Sequence, residues 1–181
     1  MKFTIIVSIF LNTIILYSQD NRIENKLIDC FAQSYNYGED GYKQLIRNYE
    51  TLLINEGILN SNSNESYLEL LKNLSKGINL NKLPSKSFIP EFWKLEDHQI
   101  HELNKCRSLI TLGSIFSKNE TFSKYKEIMN KSSDSGIDGK SFLAKKMLLI
   151  LSEDDLKTDF YKIQIFALFS IIETESGIRY R

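Results

Sequence analysis

Apolar residues recur at intervals of three and four along most of this chain, which is the spacing of one face of an α-helix. The cleanest stripe lies between residues 40 and 56. Only two prolines and eight glycines interrupt the 181 residues. Because turn-rich β folds need more of both residues, the pattern predicts an all-α fold, a single irregular bundle of about six or seven helices. The members of the clean stripe are Tyr42, Leu45, Ile46, Tyr49, Leu52 and Leu53.

Helix boundaries are predicted from capping residues and from breaks in the apolar pattern. Gly57 and Gly77 each follow a periodic segment, where a left-handed residue commonly ends a helix. Ser63 or Asn64 opens the segment between them. Ser152 to Asp155 matches a Ser-x-x-Asp variant of the capping box. The main predicted helices span residues 20–35, 40–56, 64–76, 96–116, 119–130 and 140–151.

Residues 160–172 form the most apolar segment after the N-terminal region. Two alternatives stay open, a fully buried strand and a central helix. The length of the segment favours the helix. Lys162 and Gln164 lie inside it, and together with its shortness they argue against a membrane span.

The first 18 residues have the layout of a secretory signal peptide. Lys2 forms a short positive region, residues 3–17 are a nearly unbroken apolar run, and Ser18 is a small residue at its end. We expect cleavage after Ser18, which leaves residues 19–181 as one exported helical domain in the periplasm, cell envelope or extracellular space. The alternative is an uncleaved segment that anchors the protein or forms a buried first helix. We expect membrane association only if the segment is uncleaved. The apolar run 3–17 is shorter than the roughly 20 residues of a membrane-spanning helix.

The charge balance argues against two classes of partner. The chain has 23 basic and 23 acidic residues and no basic stripe. A balanced surface argues against nucleic acid as a partner, and so does export. It argues equally against an anionic membrane surface. The sequence therefore favours a protein partner of unknown identity.

Cys30 and Cys106 are the only cysteines. In an oxidising compartment they can form one disulfide, which would stabilise the fold by roughly 4–5 kcal/mol on a chain-entropy argument. The alternative is a pair of buried free thiols that act as small core residues. The sequence leaves both open, because it does not show whether the two Cα atoms approach within bonding reach.

The two histidines, His98 and His101, form the one candidate metal site. They lie three residues apart on a predicted helix, so one helix face can present both to a metal ion. Glu102 or Cys106 would supply a further zinc ligand. The run His-Gln-Ile-His-Glu lacks the glutamate spacing of zinc hydrolase motifs. The competing interpretation is a solvated helix start, and a bridged Cys106 could not be a ligand.

No catalytic residue and no cofactor is predicted. Gly139-Lys140-Ser141 resembles the end of a phosphate-binding loop, but Asp134 stands where the first glycine belongs and would repel a phosphate. The acidic run Glu153 to Asp155 is expected to face water at a helix start.

The expected function is non-catalytic binding or interaction with a partner in the cell envelope or extracellular space. An aromatic patch of Tyr35, Tyr37 and Tyr42 at the first turn could serve such a role, although core packing is the favoured interpretation of these rings. One alternative is a metal-binding protein or metal-dependent enzyme centred on His98 and His101. Another is an accessory subunit held at the membrane by an uncleaved N-terminus.

Overall fold

The computed structural model describes residues 22–34, 38–78, 83–86, 88, 101–102, 104–106, 108, 120–134, 139–174 and 177–180. The predicted signal peptide, residues 1–18, lies outside these residues. So do His98, Tyr35 and Tyr37. The predictions made for these positions therefore stay predictions.

The described residues form six α-helices, which confirms the predicted all-α bundle. Residues 101, 102, 104–106 and 108 are also helical, as expected for the segment 96–116. Short 3-10 turns, Asp155–Lys157 and Leu168–Ser170, precede and follow the last helix. No helix in the described ranges is long and apolar enough to cross a bilayer. The helices are α1 (Ile23–Ser34), α2 (Gly38–Asn55), α3 (Asn64–Ser75), α4 (Glu120–Asp134), α5 (Lys140–Leu148) and α6 (Asp159–Ala167).

A β-hairpin that the sequence analysis did not predict follows α6. Strand β1 (Ile171–Thr174) pairs antiparallel with β2 (Gly177–Tyr180). Of the two alternatives for residues 160–172, the helix favoured by their length is present as far as Ala167, whereas Ile171 and Ile172 lie in a strand. Two adjacent β-branched residues favour an extended backbone. An isolated hairpin is only marginally stable in water. In this fold β1 also contacts α5, so the hairpin is supported by packing.

The predicted glycine stops are confirmed. Gly57 and Gly77 have φ angles of +63° and +78°. After α2, the Ile58 N–H donates to the Leu53 carbonyl at 2.8 Å, and the Gly57 N–H donates to the Ile54 carbonyl at 2.9 Å. These two bonds form a Schellman motif, which satisfies carbonyls that the helix itself leaves unpaired.

Helix α6 lies in the middle of the core, between α1 and α2 on one side and aromatic residues of α4 on the other. Phe166 packs against Tyr49 at 4.9 Å and against Phe88 at 5.2 Å between ring centroids. Phe160 meets Tyr125 at 5.6 Å in a T-shaped contact. Each such aromatic side chain stabilises the fold by roughly 1.5–3 kcal/mol through burial. The fully enclosed side chains of α6 are those of Phe160, Tyr161, Ile163, Ile165 and Phe166.

A disulfide joins Cys30 on α1 to Cys106, with 5.7 Å between the Cα atoms. Cys106 is fully buried, and its sulfur lies 3.3 Å from the Ser34 hydroxyl oxygen. Of the two alternatives that the sequence left open, the structure has the bridge. It fastens the helical residues around 106 to the second half of α1.

Candidate functional site: a charged pocket at the start of α6

In the structure, the described residues of the predicted metal site are exposed or are bonded to other side chains. His101 is exposed. Glu102 forms an ion pair with Lys105 one turn along the helix. Cys106 is bonded to Cys30 and so is not a thiolate ligand. The described part of the chain contains no group of three His, Cys, Asp or Glu side chains arranged for a metal ion. Because His98 lies outside that part, the site of His98, His101 and Glu102 stays a prediction.

The acidic run at 153–155 differs from expectation at one residue. Glu153 and Asp154 are exposed as predicted, but Asp155 is buried. Its Oδ2 accepts hydrogen bonds from the Ser152 N–H at 3.0 Å and the Ser152 hydroxyl at 2.7 Å. The Asp155 N–H returns a longer bond to the Ser152 hydroxyl at 3.4 Å. The reciprocal pair confirms the predicted capping box, and it turns the Asp155 carboxylate inward.

Asp155 belongs to a buried group that we call the Glu24 cluster: Arg22, Glu24, Asp155 and Tyr161. The Arg22 guanidinium donates to Asp155 Oδ1 at 3.1 Å and lies 3.5 Å from Glu24 Oε1. The Tyr161 hydroxyl donates to the same Glu24 oxygen at 2.9 Å. Burial alone would lower the pKa of Arg22, but the carboxylates of Glu24 and Asp155 outweigh burial and raise it. The cluster therefore holds a fully charged guanidinium between two carboxylates.

A second buried group, the Glu50 cluster, comprises Glu50, Tyr67 and Lys162. The Tyr67 hydroxyl donates to Glu50 Oε1 at 2.7 Å, and the Lys162 ammonium donates to the same oxygen at 3.0 Å. The Lys162 Nζ also lies 5.4 Å from the centre of the Tyr67 ring, a cation–π distance. Burial, followed by the hydrogen bond to Glu50, raises the pKa of the Tyr67 phenol.

Next to the Glu50 cluster, an open pocket of about 480 Å³ lies where α1, α2 and the start of α6 meet. We call it the α6 pocket. Its walls come from three separate parts of the chain, so it exists only in the folded protein. The lining residues are Asn25, Ile28, Asp29, Lys43, Lys157, Thr158 and Asp159.

The charges of the α6 pocket balance, with two ammonium groups and two carboxylates. Lys43 is half-buried on α2, whereas Lys157 is exposed and pairs with Asp154 at 2.8 Å. Asp29 is exposed on α1, and Asp159 is half-buried in the first turn of α6. A small charged molecule therefore meets both signs of charge in one cavity.

The backbone at the start of α6 adds a polar feature to the pocket. Thr158 precedes the helix with an extended backbone, but its hydroxyl donates back to the Asp155 carbonyl at 2.7 Å and caps no helical N–H group. The first N–H groups of a helix have no partner within the helix, and they carry a partial positive charge. Asp159 lies in this first turn, where a carboxylate is favoured by the dipole.

The environment of Asp159 shifts the pKa of its carboxyl group. Burial is the main cause and raises the pKa of this carboxyl. The ammonium of Lys162 opposes the shift, Glu50 adds to it, and Lys43 and Arg47 oppose it more weakly. The net result is a raised pKa, so the fold disfavours the ionised carboxylate that the pocket presents. Perturbed carboxyls in clefts are typical of functional sites.

The sequence analysis assigned none of the pocket residues, although two signals were present. Asn25 and Asp29 are spaced i, i+4 on the polar side of a predicted helix, so they share a face. Thr158 and Asp159 stand directly before an apolar segment, a pattern typical of a helix start. Nothing in the sequence indicated that these two positions, more than 120 residues apart, would meet.

The aromatic patch at the first turn is described only at Tyr42. This ring is buried, with 2% of its surface exposed, so the favoured interpretation of core packing is confirmed for Tyr42. Burial, and then the nearby Asp159 carboxylate, raises the pKa of its phenol. Tyr42 is therefore part of the hydrophobic core rather than of an outer surface.

Family models, curated proteins and solved structures were compared with the chain, and none matches it. The function must therefore be inferred from the side chains of the pocket and from the fold that positions them.

Proposed function

We propose that this chain is an exported, non-catalytic binding protein and that the α6 pocket is its ligand site. The observation that carries the proposal is the convergence of charged side chains from α1, α2 and the start of α6 on one open cavity. A volume of about 480 Å³ is within the range of small-ligand pockets. The pocket thus favours a small ligand over the protein partner expected from the sequence.

The chemistry of the lining suits binding rather than reaction. Its titratable groups are two ammoniums and two carboxylates, and these hold and orient charge. Asp159 is the group that the fold disfavours in its ionised form, because of its burial and the neighbouring Glu50. Proteins commonly retain such a group for function at some cost in stability.

Export is supported by two independent features. The N-terminal 18 residues have the composition of a secretory signal. The Cys30–Cys106 disulfide is of a kind that persists in oxidising compartments and is rare in the cytosol.

The test is mass spectrometry of the protein recovered from its native host, in both denaturing and native conditions. Under denaturing conditions we expect a chain that begins at Gln19 and is two hydrogens lighter before reduction than after it. Under native conditions we expect an additional small mass that is lost on unfolding. A full-length mass with two alkylatable thiols would contradict export.

A pair of variants connects the retained mass to the pocket. Asp29→Asn and Lys43→Met change pocket charges, whereas Lys124→Met changes an exposed lysine on α4 that pairs with Glu120 one turn earlier. We expect the small mass to be lost or reduced in the two pocket variants and kept in Lys124→Met. Retention of the mass in all three variants would place binding elsewhere and overturn the proposed site.

A further inference from the structure

The charge pattern of the α6 pocket selects among small ligands. A simple anion would be attracted by Lys43, Lys157 and the start of α6, but it would be repelled by two carboxylates in the same cavity. A simple cation would be attracted by the two carboxylates but repelled by the two lysines. A molecule with one group of each sign gains from both pairs of side chains.

The positions of the charges also suit such a molecule. Asn25 and Asp29 lie on one face of α1, where an amide oxygen and a carboxylate can receive an ammonium group. Lys43 lies on α2, and Lys157 ends the 3-10 turn before α6. The two positive side chains therefore lie on different elements from the Asp29 carboxylate, which is on α1.

The pocket has one apolar surface between its charged walls. Ile28 is buried, with 4% of its surface exposed, yet it lines the cavity. It can contact the carbon skeleton of a ligand whose ends are charged. The volume of about 480 Å³ is large enough for a molecule of several heavy atoms between those ends.

From these features we infer that the α6 pocket binds a small zwitterion with an ammonium and a carboxylate group, the chemistry of a free amino acid or a short peptide. This inference rests on the proposed function and specifies its ligand class. The ammonium would lie toward Asp29 and Asn25, and the carboxylate toward the two lysines, Lys43 and Lys157.

The experiment is calorimetric titration of the purified, disulfide-bonded chain with three matched probes. They are the dipeptide Gly-Gly, its N-acetyl derivative and its C-terminal amide. The derivatives remove the ammonium or the carboxylate and change little else. We expect each derivative to bind about 3- to 10-fold more weakly than Gly-Gly, since partly exposed charge contacts are of modest strength.

Two variants assign the ends of the ligand. In Lys43→Met the affinity for the C-terminal amide should be close to its wild-type value, because the amide has no carboxylate for Lys43 to contact. The affinity for the N-acetyl derivative, which keeps its carboxylate, should fall by about 3- to 10-fold. In Asp29→Asn the affinity for the amide should fall and that for the N-acetyl derivative should stay close to its wild-type value. Glu120→Gln and Lys124→Met, both on the exposed face of α4, should leave all three affinities unchanged.

Several outcomes would overturn the inference. Equal binding of Gly-Gly and its N-acetyl derivative, together with binding of inorganic phosphate, would indicate an anion site. Equal binding of Gly-Gly and its amide, together with binding of putrescine, would indicate a cation site. No binding of any of the 20 amino acids or of Gly-Gly, by a chain with native circular dichroism, would exclude the zwitterion. A native mass lost in the pocket variants would still support the proposed function in that case.

Discussion

Two buried glutamates, Glu24 and Glu50, are paired with cations in different ways. Glu24 is fully enclosed and shares a guanidinium with Asp155, which comes from a turn 131 positions later in the chain. Glu50 is paired with the ammonium of Lys162 at 3.0 Å. Each carboxylate also accepts a hydrogen bond from a buried tyrosine.

The difference follows from the chemistry of the two cations. A guanidinium is a planar fork that can serve two carboxylates at once, whereas an ammonium is a point charge that stays better hydrated. The Glu24 cluster therefore connects the segment before α1 with the turn before α6. In the Glu50 cluster the ammonium of Lys162 serves the single carboxylate of Glu50, and the cluster borders the α6 pocket through Asp159. One cluster has a role in the architecture, and the other sets the electrostatics of the candidate site.

The largest expected effect is that of Arg22→Met. It leaves two buried carboxylates without their cation, which costs about 3–5 kcal/mol of unfolding free energy. Urea unfolding at pH 7 measures it, with Lys124→Met as a control for loss of an exposed cation. A change as small as that of the control would show that Arg22 does not support the Glu24 cluster.

Lys162→Met should have a smaller effect, about 2–3 kcal/mol, because it leaves one carboxylate without its cation instead of two, and Glu50 is slightly more exposed than Glu24. Adding Glu50→Gln to this variant removes the unpaired charge and should recover much of the loss. The same urea series measures both. If Lys162→Met cost as much as Arg22→Met, the proposed distinction between the clusters would be wrong.

The tyrosines allow the most direct comparison, since Tyr161→Phe and Tyr67→Phe remove the same hydroxyl from the two clusters. Each loses a hydrogen bond to a charged group, about 1.5 kcal/mol. The raised phenol pKa values also make stability fall with pH above about 10, because the unfolded chain then releases protons that the native chain keeps. Each phenylalanine variant should show a shallower alkaline decline than the wild type. An unchanged alkaline slope in both variants would contradict this origin.

Asp159→Asn should have the smallest effect and the opposite sign. The raised pKa means that the native state favours the neutral carboxyl, so its contribution to stability is present at low pH and is lost as pH rises through the folded pKa. The side-chain amide of the variant is uncharged and has nearly the same shape as the protonated carboxyl group of Asp159. We expect the variant to be about 0.5 kcal/mol more stable than the wild type at pH 7 and equal to it near pH 3. Destabilisation at pH 7 would show that the carboxylate serves the fold.

The parts of this fold that were predictable are those encoded locally. Stripes of apolar residues indicated the helices, glycines marked their ends, and Ser152 with Asp155 formed the expected capping box. The hairpin was missed because Ile171 and Ile172 continue an apolar segment whose length favoured a helix. Its strand pairing lies beyond what periodicity can show.

The charged residues of the core illustrate a second limit. Glu24 and Glu50 are buried on their helices, three residues before the buried Leu27 and four residues after the buried Ile46. A pattern of this kind says that a position is inside, but not which cation from elsewhere in the chain will meet it. The α6 pocket was hidden for the same reason, since Asn25 and Thr158 approach one another only through the packing of α1 against α6.

The disulfide has one more consequence, for how this chain would respond to proteolysis. Residues 30–106 and the bridge form a closed covalent ring that contains all of α2 and α3, including Lys43 and Glu50. A single backbone cut inside the ring opens it without releasing a fragment, so the two halves of the α6 pocket stay tethered. Outside a cell, where proteases are common and reductants are scarce, such a chain could be nicked once and still keep its site assembled.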